Sequence, residues 1–394
     1  DLIVQGSKAV KYRVLKQKDK ELYQLVLDVT PFYPEGGGQV GDTGFMMFDG
    51  EVIKVLDTKK ENDLIIHIID RIPDNISGDV YAEVDANKRS LTENNHSATH
   101  LLHAALRQVL GTHVQQKGSL VKDDYLRFDV SHYQKITDNE LAQVEKIVNE
   151  KIRQNIPLEE ARALPIEEAK KSGAMMLFGE KYGDSVRMIT FDPAYSRELC
   201  GGCHVKYTGQ LGLFKITSES GIAAGVRRIE AVTANKAEEY VNQQIHELNA
   251  IKSFFKNNIN TTKNVSDLLD ENKELTKEVE KLRGMQASGM KASLISGAKE
   301  ISGARVVVAK LKEMDTKSAK TLSVNILSEI DNGLVLFGIE DQGKATIMLS
   351  IAENLTKSKG WHAGNIIKEL SKEINGGGGG QKNLATAGGQ DVSK

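Results

Sequence analysis

Short β-branched runs separated by turn residues fill the first 85 positions of this chain. "LYQLVLDVT" (22–30), "EVIKVLD" (51–57) and "DLIIHIID" (63–70) are bounded by Gly, Asp, Asn and Pro, and they predict strands of a β-barrel-like subdomain over residues 1–85. Between the first two runs lies "TPFYPEGGGQVGDTG" (30–44), a loop too long for a plain hairpin turn. The pattern then becomes helical from about Asp85, with Gly111 placed to stop the helix. Beyond it "SLVKDDYLRFDV", "VRMITFD" and "GLFKITSES" read as strands, and about 137–155 and 165–172 as helices. Residues 86–235 are thus expected to form a mixed α+β domain around the long helix.

From 236 to 300 the pattern is helical throughout. Val265, Asn272 and Val279 fall at heptad a, and Leu268, Leu275 and Leu282 at heptad d. One polar a position among three fixes register at some cost in stability. With the break "NNINTTKN" before it, this predicts a helical hairpin or coiled coil suited to dimerisation. Residues 301–394 carry strand-like "ARVVVAKL", "GLVLFGIE" and "KATIMLSIA", helices near 316–330 and 362–374, and then "NGGGGGQKNLATAGG". They predict a C-terminal α/β domain. The expected fold class is therefore α+β multidomain.

Composition narrows the class only a little. A net charge of −2 on 394 residues gives no overall attraction to nucleic acid, so RNA binding would have to come from local patches. Residues 251–320 hold 14 Lys and Arg against 9 Asp and Glu, a candidate patch of that kind. No apolar run is long enough to span a bilayer, and no signal peptide is present. Two cysteines, both in "CGGC", exclude a disulfide framework and suit a reducing cytosol. The opening at Asp1 rather than Met reads as a piece of a longer protein.

"NHSATHLLH" (95–103) places His96 and His100 four apart on the predicted helix, about 40° apart in projection, so both imidazoles can grip one ion. His103 falls near the same face, and the helix alone does not choose between them. "ELCGGCHV" (198–205) supplies Cys200 with Cys203 or His204, the two glycines allowing a tight turn. A soft thiolate with imidazoles is a tetrahedral zinc set. Ligand pairs about 100 residues apart match no small zinc finger, so the site serves chemistry or substrate positioning rather than holding a small domain together.

Together "TPFYPEGGGQVGDTG", "NHSATHLLHAALRQVLGTHVQQKGSLV", "RELCGGCHV", "GVRRIEAVTA" and "GGGGGQKNLATAGG" resemble the alanyl-tRNA synthetase family in the family's own order. The resemblance covers essentially the whole chain and matches the editing domain and the C-terminal domain (the latter of DHHA1 type). It implies one zinc ion on His96, His100, Cys200 and His204, with His103 and Cys203 as bystanders. One position departs from the pattern: Cys203 stands where the family usually has Thr, and a second thiol there could compete for the ion.

The resemblance further implies hydrolysis of mischarged Ser-tRNA(Ala) and Gly-tRNA(Ala). A pocket made for alanine rejects a smaller amino acid, or one bearing an added hydroxyl, only weakly, so a second site has to clear the errors. Thr30 is the candidate to pair with the serine hydroxyl. Gln39 and Gln116 are candidate polar contacts, and Gly36, Gly37 and Gly38 would let the terminal adenosine approach. No residue is assigned to activate water, beyond its lying near the zinc site. Gly376, Gly377, Gly378, Gly379 and Gly380 resemble the RNA-facing loop of the C-terminal domain, and the DHH catalytic motif is absent. ATP and Mg2+ would belong to the parent's N-terminal domain, which attaches alanine to tRNA(Ala). Two other readings share these residues: a free-standing AlaX-type hydrolase, and a tRNA-binding or dimerisation module with structural zinc.

Overall fold

A computed structural model of the chain describes residues 1–17, 20–176, 182–256, 259–341 and 343–393. Seven strands precede the first helix: β1 (Ile3–Ser7), β2 (Ala9–Gln17), β3 (Lys20–Leu27), β4 (Gly44–Phe48), β5 (Glu51–Glu61), β6 (Leu64–Ile69) and β7 (Val80–Val84). They form one antiparallel sheet in the order β1-β7-β4-β5-β6-β3-β2. Its two edge strands are consecutive in sequence, with only Lys8 between them. Two residues of chain span at most about 7 Å, so the sheet has to curl until its edges meet at that point. Strand alternation fills the curl. In β7, Val80, Ala82 and Val84 are buried, and they join Leu25, Met46, Phe48, Ile53, Val55 and Ile69 in one core.

Helix α1 (Ala86–Leu110) begins where Asp85 caps it, accepting hydrogen bonds from the N–H groups of Asn87 and Lys88. It ends at Gly111, whose φ of 114° suits glycine. Every residue from Asn94 to His103 is buried. The polar ones are therefore bonded. Asn95 donates to Lys122 O at 2.8 Å and accepts from Thr233 Oγ1 at 2.7 Å, and Thr99 donates to Asn95 O at 2.8 Å.

Around α1 the chain adds β8 (Gln116–Val121), β9 (Leu126–Ser131), α2 (Asp138–Arg153), β10 (Glu159–Pro165), α3 (Ile166–Lys171) and β11 (Ser185–Phe191). After these come β12 (Ser196–Leu199), β13 (Phe214–Ala223) and β14 (Val226–Thr233). Sheet β13-β14-β9-β8 packs Phe128, Val130, Ile229 and Ala231 against Leu101, Leu102, Ala105 and Leu106 of α1. Strands β10-β11-β12 make a separate small sheet. The run "SLVKDDYLRFDV", expected as one strand, is a hairpin. Its polar Lys-Asp-Asp turns the chain, and Lys122 N bonds Tyr125 O at 3.0 Å.

The chain divides into two units, Asp1–Ala250 and Ile251–Lys394. Helix α4 (Ala234–Ser253) ends before "NNINTTKN" (257–264), of which Asn257 and Asn258 lie outside the described residues. The expected break is shorter than that, because α5 (Thr261–Ser296) begins inside it, capped by Asn260. On α5 the heptad residues Val265, Leu268, Leu275, Val279 and Leu282 are exposed. The second unit continues through β15 (Lys299–Ile301), β16 (Ala304–Lys312), α6 (Thr316–Leu327), β17 (Gly333–Asp341) and β18 (Lys344–Ile351). It ends with α7 (Glu353–Ser358), α8 (Ala363–Leu370), β19 (Gly377–Gly380) and β20 (Leu384–Gly389). The sheet order is β15-β16-β17-β18-β20-β19, and β16 and β17 are parallel strands joined through α6.

The glycine run, expected as a loop, is an edge strand. A Cβ on Gly376, Gly378 or Gly380 would overlap the backbone of β20, so glycine is what allows the two strands to come together. Among the described residues, no helix is long and apolar enough to cross a membrane.

Candidate metal centre

Helix α1 contributes His96 and His100, and the turn after β12 contributes Cys200 and His204. One ligand atom from each of the four lies within 4.8 Å of the others. The Cys200 Sγ is 3.4 Å from His96 Nε2 and 3.3 Å from His204 Nε2. Zinc–sulfur and zinc–nitrogen bonds of about 2.3 and 2.05 Å at a tetrahedral angle give an S···N edge of about 3.6 Å. The ring centroids of His96 and His100 stand 4.4 and 4.6 Å from that of His204.

The second nitrogens of His96 and His204 face the supports that a metal-bound histidine needs. His96 Nδ1 donates to the side-chain oxygen of Gln39 at 2.7 Å, and Ser97 Oγ accepts from His204 Nδ1 at 3.1 Å. Among the described residues His100 Nδ1 is buried without a hydrogen bond, and a carboxylate oxygen of Glu198 lies 4.0 Å away. Burial and mutual repulsion hold His96 and His204 well below the usual imidazole range, and burial lowers His100 too. All three rings therefore offer lone pairs at neutral pH. Burial pushes the Cys200 thiol up to about 12. Three neutral imidazoles do nothing to ionise it, and a bound cation would. The donor set, its geometry and its supports fit zinc.

Neither the metal turn nor the glycine loop holds its own shape. Arg187 of β11 donates to Cys200 O at 3.1 Å and Gly202 O at 2.5 Å, while its Nε bonds Glu160 at 2.5 Å. Arg89 of α1 pairs with Asp42 and donates to Pro31 O at 3.0 Å, both ionic side chains being nearly buried. Beside the four ligands opens a cavity of about 580 Å³, lined in part by Gly36, Gly37, Thr99, Gln116, Arg187 and Glu198. That volume suits a nucleoside-sized ligand.

Family models match three stretches of the chain. They are "tRNA synthetases class II (A)" over 3–88, "Threonyl and Alanyl tRNA synthetase second additional domain" over 186–230, and "DHHA1 domain" over 303–394. An alanine-tRNA ligase of Cytophaga hutchinsonii is 51% identical over 393 residues, covering 100% of this chain and 45% of that protein. The chain belongs to the alanyl-tRNA synthetase family. Alanine-tRNA ligases of Parabacteroides distasonis and Christiangramia forsetii are 46% and 47% identical over 393 residues, covering 100% and 99% of this chain. The chain spans 45% of the length of each of these three relatives. A crystal structure of the C-Ala domain from Aquifex aeolicus alanyl-tRNA synthetase is 18% identical, covering 25% of this chain and 86% of that one. Its TM-score of 0.23 is too low to support a fold assignment.

Within this synthetase-family chain, the residues singled out by sequence take different places. His96, His100, Cys200 and His204 meet. Cys203 and His103 stand outside the group. Cys203 N donates to Gln39 at 2.8 Å, and His103 Nδ1 lies 3.2 Å from Glu198 Oε1. Gly36, Gly37 and Gln116 line the cavity. Gln39 is wholly buried, its side-chain oxygen shared by His96 and Cys203 N. A Cβ on Gly38 would lie 2.7 Å from Ser119 O, so its close approach is to β8. Thr30 Oγ1 sits 2.7 Å from His67 Nε2 and accepts from Phe32 N at 3.2 Å; it does not line the cavity.

Sequence reasoning passed over Ser97, Arg187 and Glu198. Glu198 carried one signal, an acidic side chain two positions before Cys200 in "ELCGGCHV". Burial alone would raise its carboxyl, but His100 and His103 outweigh burial and hold it below the usual range.

Proposed function

We propose that this chain hydrolyses the ester of Ser-tRNA(Ala) and Gly-tRNA(Ala) at the cavity beside His96, His100, Cys200 and His204. One zinc ion would be held by these four residues. The reading is carried by one observation: a His3Cys set, with His96 and His204 braced by Gln39 and Ser97, opening on a nucleoside-sized cavity. When bound, zinc supplies a positive charge that can polarise an ester oxygen.

The chain's own residues do the rest. Gly36 and Gly37 leave room for the terminal adenosine, and no Cβ stands between it and the loop backbone. Gln116, which lines the cavity, would bond the serine hydroxyl. Thr30 and Gln39 act one step removed, Thr30 by fixing the start of the glycine loop through His67, and Gln39 by aiming His96. Hydrolysis breaks the bond between the aminoacyl carbonyl carbon and the ribose oxygen. Water's oxygen joins the carbon, and the ribose oxygen takes a proton.

The second unit would add tRNA affinity. The bare edge of Gly376–Gly380 admits an RNA backbone, and residues 251–320 supply surplus positive charge. The exposed heptad positions of α5 support a homodimer. The longer parent would attach alanine to tRNA(Ala) with ATP and Mg2+ in the cytoplasm. The test is deacylation by the purified chain. Ser-tRNA(Ala) should be cleaved and Ala-tRNA(Ala) spared, and a zinc-loaded chain that spares both would leave only a structural metal.

A further inference from the structure

Tyr133 is 90% exposed, more than a side chain that serves the fold would be. Its ring nevertheless has a fixed seat. It lies against Gly225, where a Cβ would come within 2.9 Å of it, and Gly225 closes the β13–β14 hairpin at a φ of 71°. The preceding residue, His132, donates its backbone N–H to Gly225 O at 2.9 Å. The ring of His132 lies edge to edge with that of His113, centroids 5.3 Å apart and planes 25° apart, with His113 Nε2 3.0 Å from His132 Nδ1. Ser131 ties the two segments together, bonding His113 O at 3.0 Å through Oγ and Gln115 O at 2.9 Å through its N–H. Three aromatic rings are thereby gathered on one edge. That edge begins three residues from Gln116, which lines the cavity. Lys117 and Lys135 bring positive charge to the same stretch of chain.

An edge with this composition fits one kind of ligand. Base faces stack on aromatic rings irrespective of sequence, and lysines follow the accompanying phosphates. A tRNA whose terminal adenosine enters the cavity must lead its preceding unpaired nucleotides out past the wall. We infer that Tyr133, His132 and His113 form the stacking surface for the single-stranded nucleotides that precede the terminal adenosine. The inference rests on the hydrolytic reading above and deepens it: the site takes an RNA 3′ end rather than an isolated aminoacyl-nucleoside.

Two substrates separate the outcomes. The full chain and its Tyr133→Ala and Tyr133→Phe variants are assayed on Ser-tRNA(Ala) and on 3′-O-seryladenosine, which lacks the preceding nucleotides. Tyr133→Ala should lower kcat/KM on Ser-tRNA(Ala) about tenfold relative to that on seryladenosine, as loss of one stacked base predicts. Tyr133→Phe, which keeps the ring, should retain the wild-type ratio. His132→Ala should show the same split as Tyr133→Ala, and zinc content should be unchanged in all three. If neither alanine variant moves the ratio of the two substrates by more than about twofold, the stacking surface is overturned while the hydrolytic reading stands. If the wild-type chain cleaves neither substrate, the hydrolytic reading fails and takes this inference with it.

Discussion

Two adjacent glycines in the metal turn give a matched pair of substitutions. A Cβ on Gly202 would overlap the His96 imidazole and come within 2.8 Å of the Gln39 side-chain oxygen, whereas a Cβ on Gly201 meets nothing within 4 Å among the described residues. Neither glycine has a left-handed φ, so backbone strain does not separate them. In Gly202→Ala something has to move. The turn is pinned by Arg187 through the carbonyls of Cys200 and Gly202, and His96 is pinned by Gln39. Overpacking of this kind costs about 1–3 kcal/mol. If the imidazole gives way, the cost falls on metal affinity, which should weaken about 5- to 150-fold at about 1.4 kcal/mol per factor of ten. The assay is zinc competition against a chelator, with circular dichroism to confirm folding. Gly201→Ala should bind zinc like the wild type. Equal affinities for both variants, or equal losses, would refute the claim that His96 is held where the ion needs it.

Other substitutions test the supports. Gln39→Leu removes the acceptor for His96 Nδ1 and Cys203 N, and should weaken zinc binding about 10- to 100-fold in the same competition. Asp42→Ala leaves Arg89 charged and nearly buried, and should cost about 3–5 kcal/mol in denaturant unfolding. His67 gives a pH dependence of defined sign. Burial lowers its folded pKa to about 4, against 6.5 for the free side chain, so the unfolded chain takes up the proton first. Its stabilising contribution is complete above about pH 6.5 and is lost as pH falls from there toward 4, by up to about 3 kcal/mol. His67→Phe should lessen the slope of melting temperature against pH across that window, the rest belonging to the other buried histidines, and an unchanged slope would mean that the ring titrates normally.

Local spacing brought out two candidate pairs, four residues apart along a helix and along a glycine turn. It left His103 and Cys203 open, and only the family resemblance singled out His96, His100, Cys200 and His204. Asp85 and Gly111 marked the ends of α1 locally, each satisfying its own helix terminus. What could not be read is what depends on distant partners. Gln39 is 57 positions from His96, and nothing in "GGGQVGD" distinguishes a side chain facing substrate from one bracing a ligand. Arg187 reaches the metal turn only because β11 pairs with β12, a register that the run "VRMITFD" does not announce. Periodicity also missed β19, because a glycine run has no side chains to alternate. The glycine loop shows most clearly where such reading stops. Gly36 and Gly37 face the cavity, Gly38 packs on β8, Gln39 steadies His96, and Asp42 fastens the loop to α1 through Arg89. One contiguous motif thus splits into two residues that can meet a ligand and three that hold the wall. The division is made by β8 and α1, the elements against which the loop folds, so a change at Gln39 or Asp42 should register first in metal affinity or stability, and only through them in turnover.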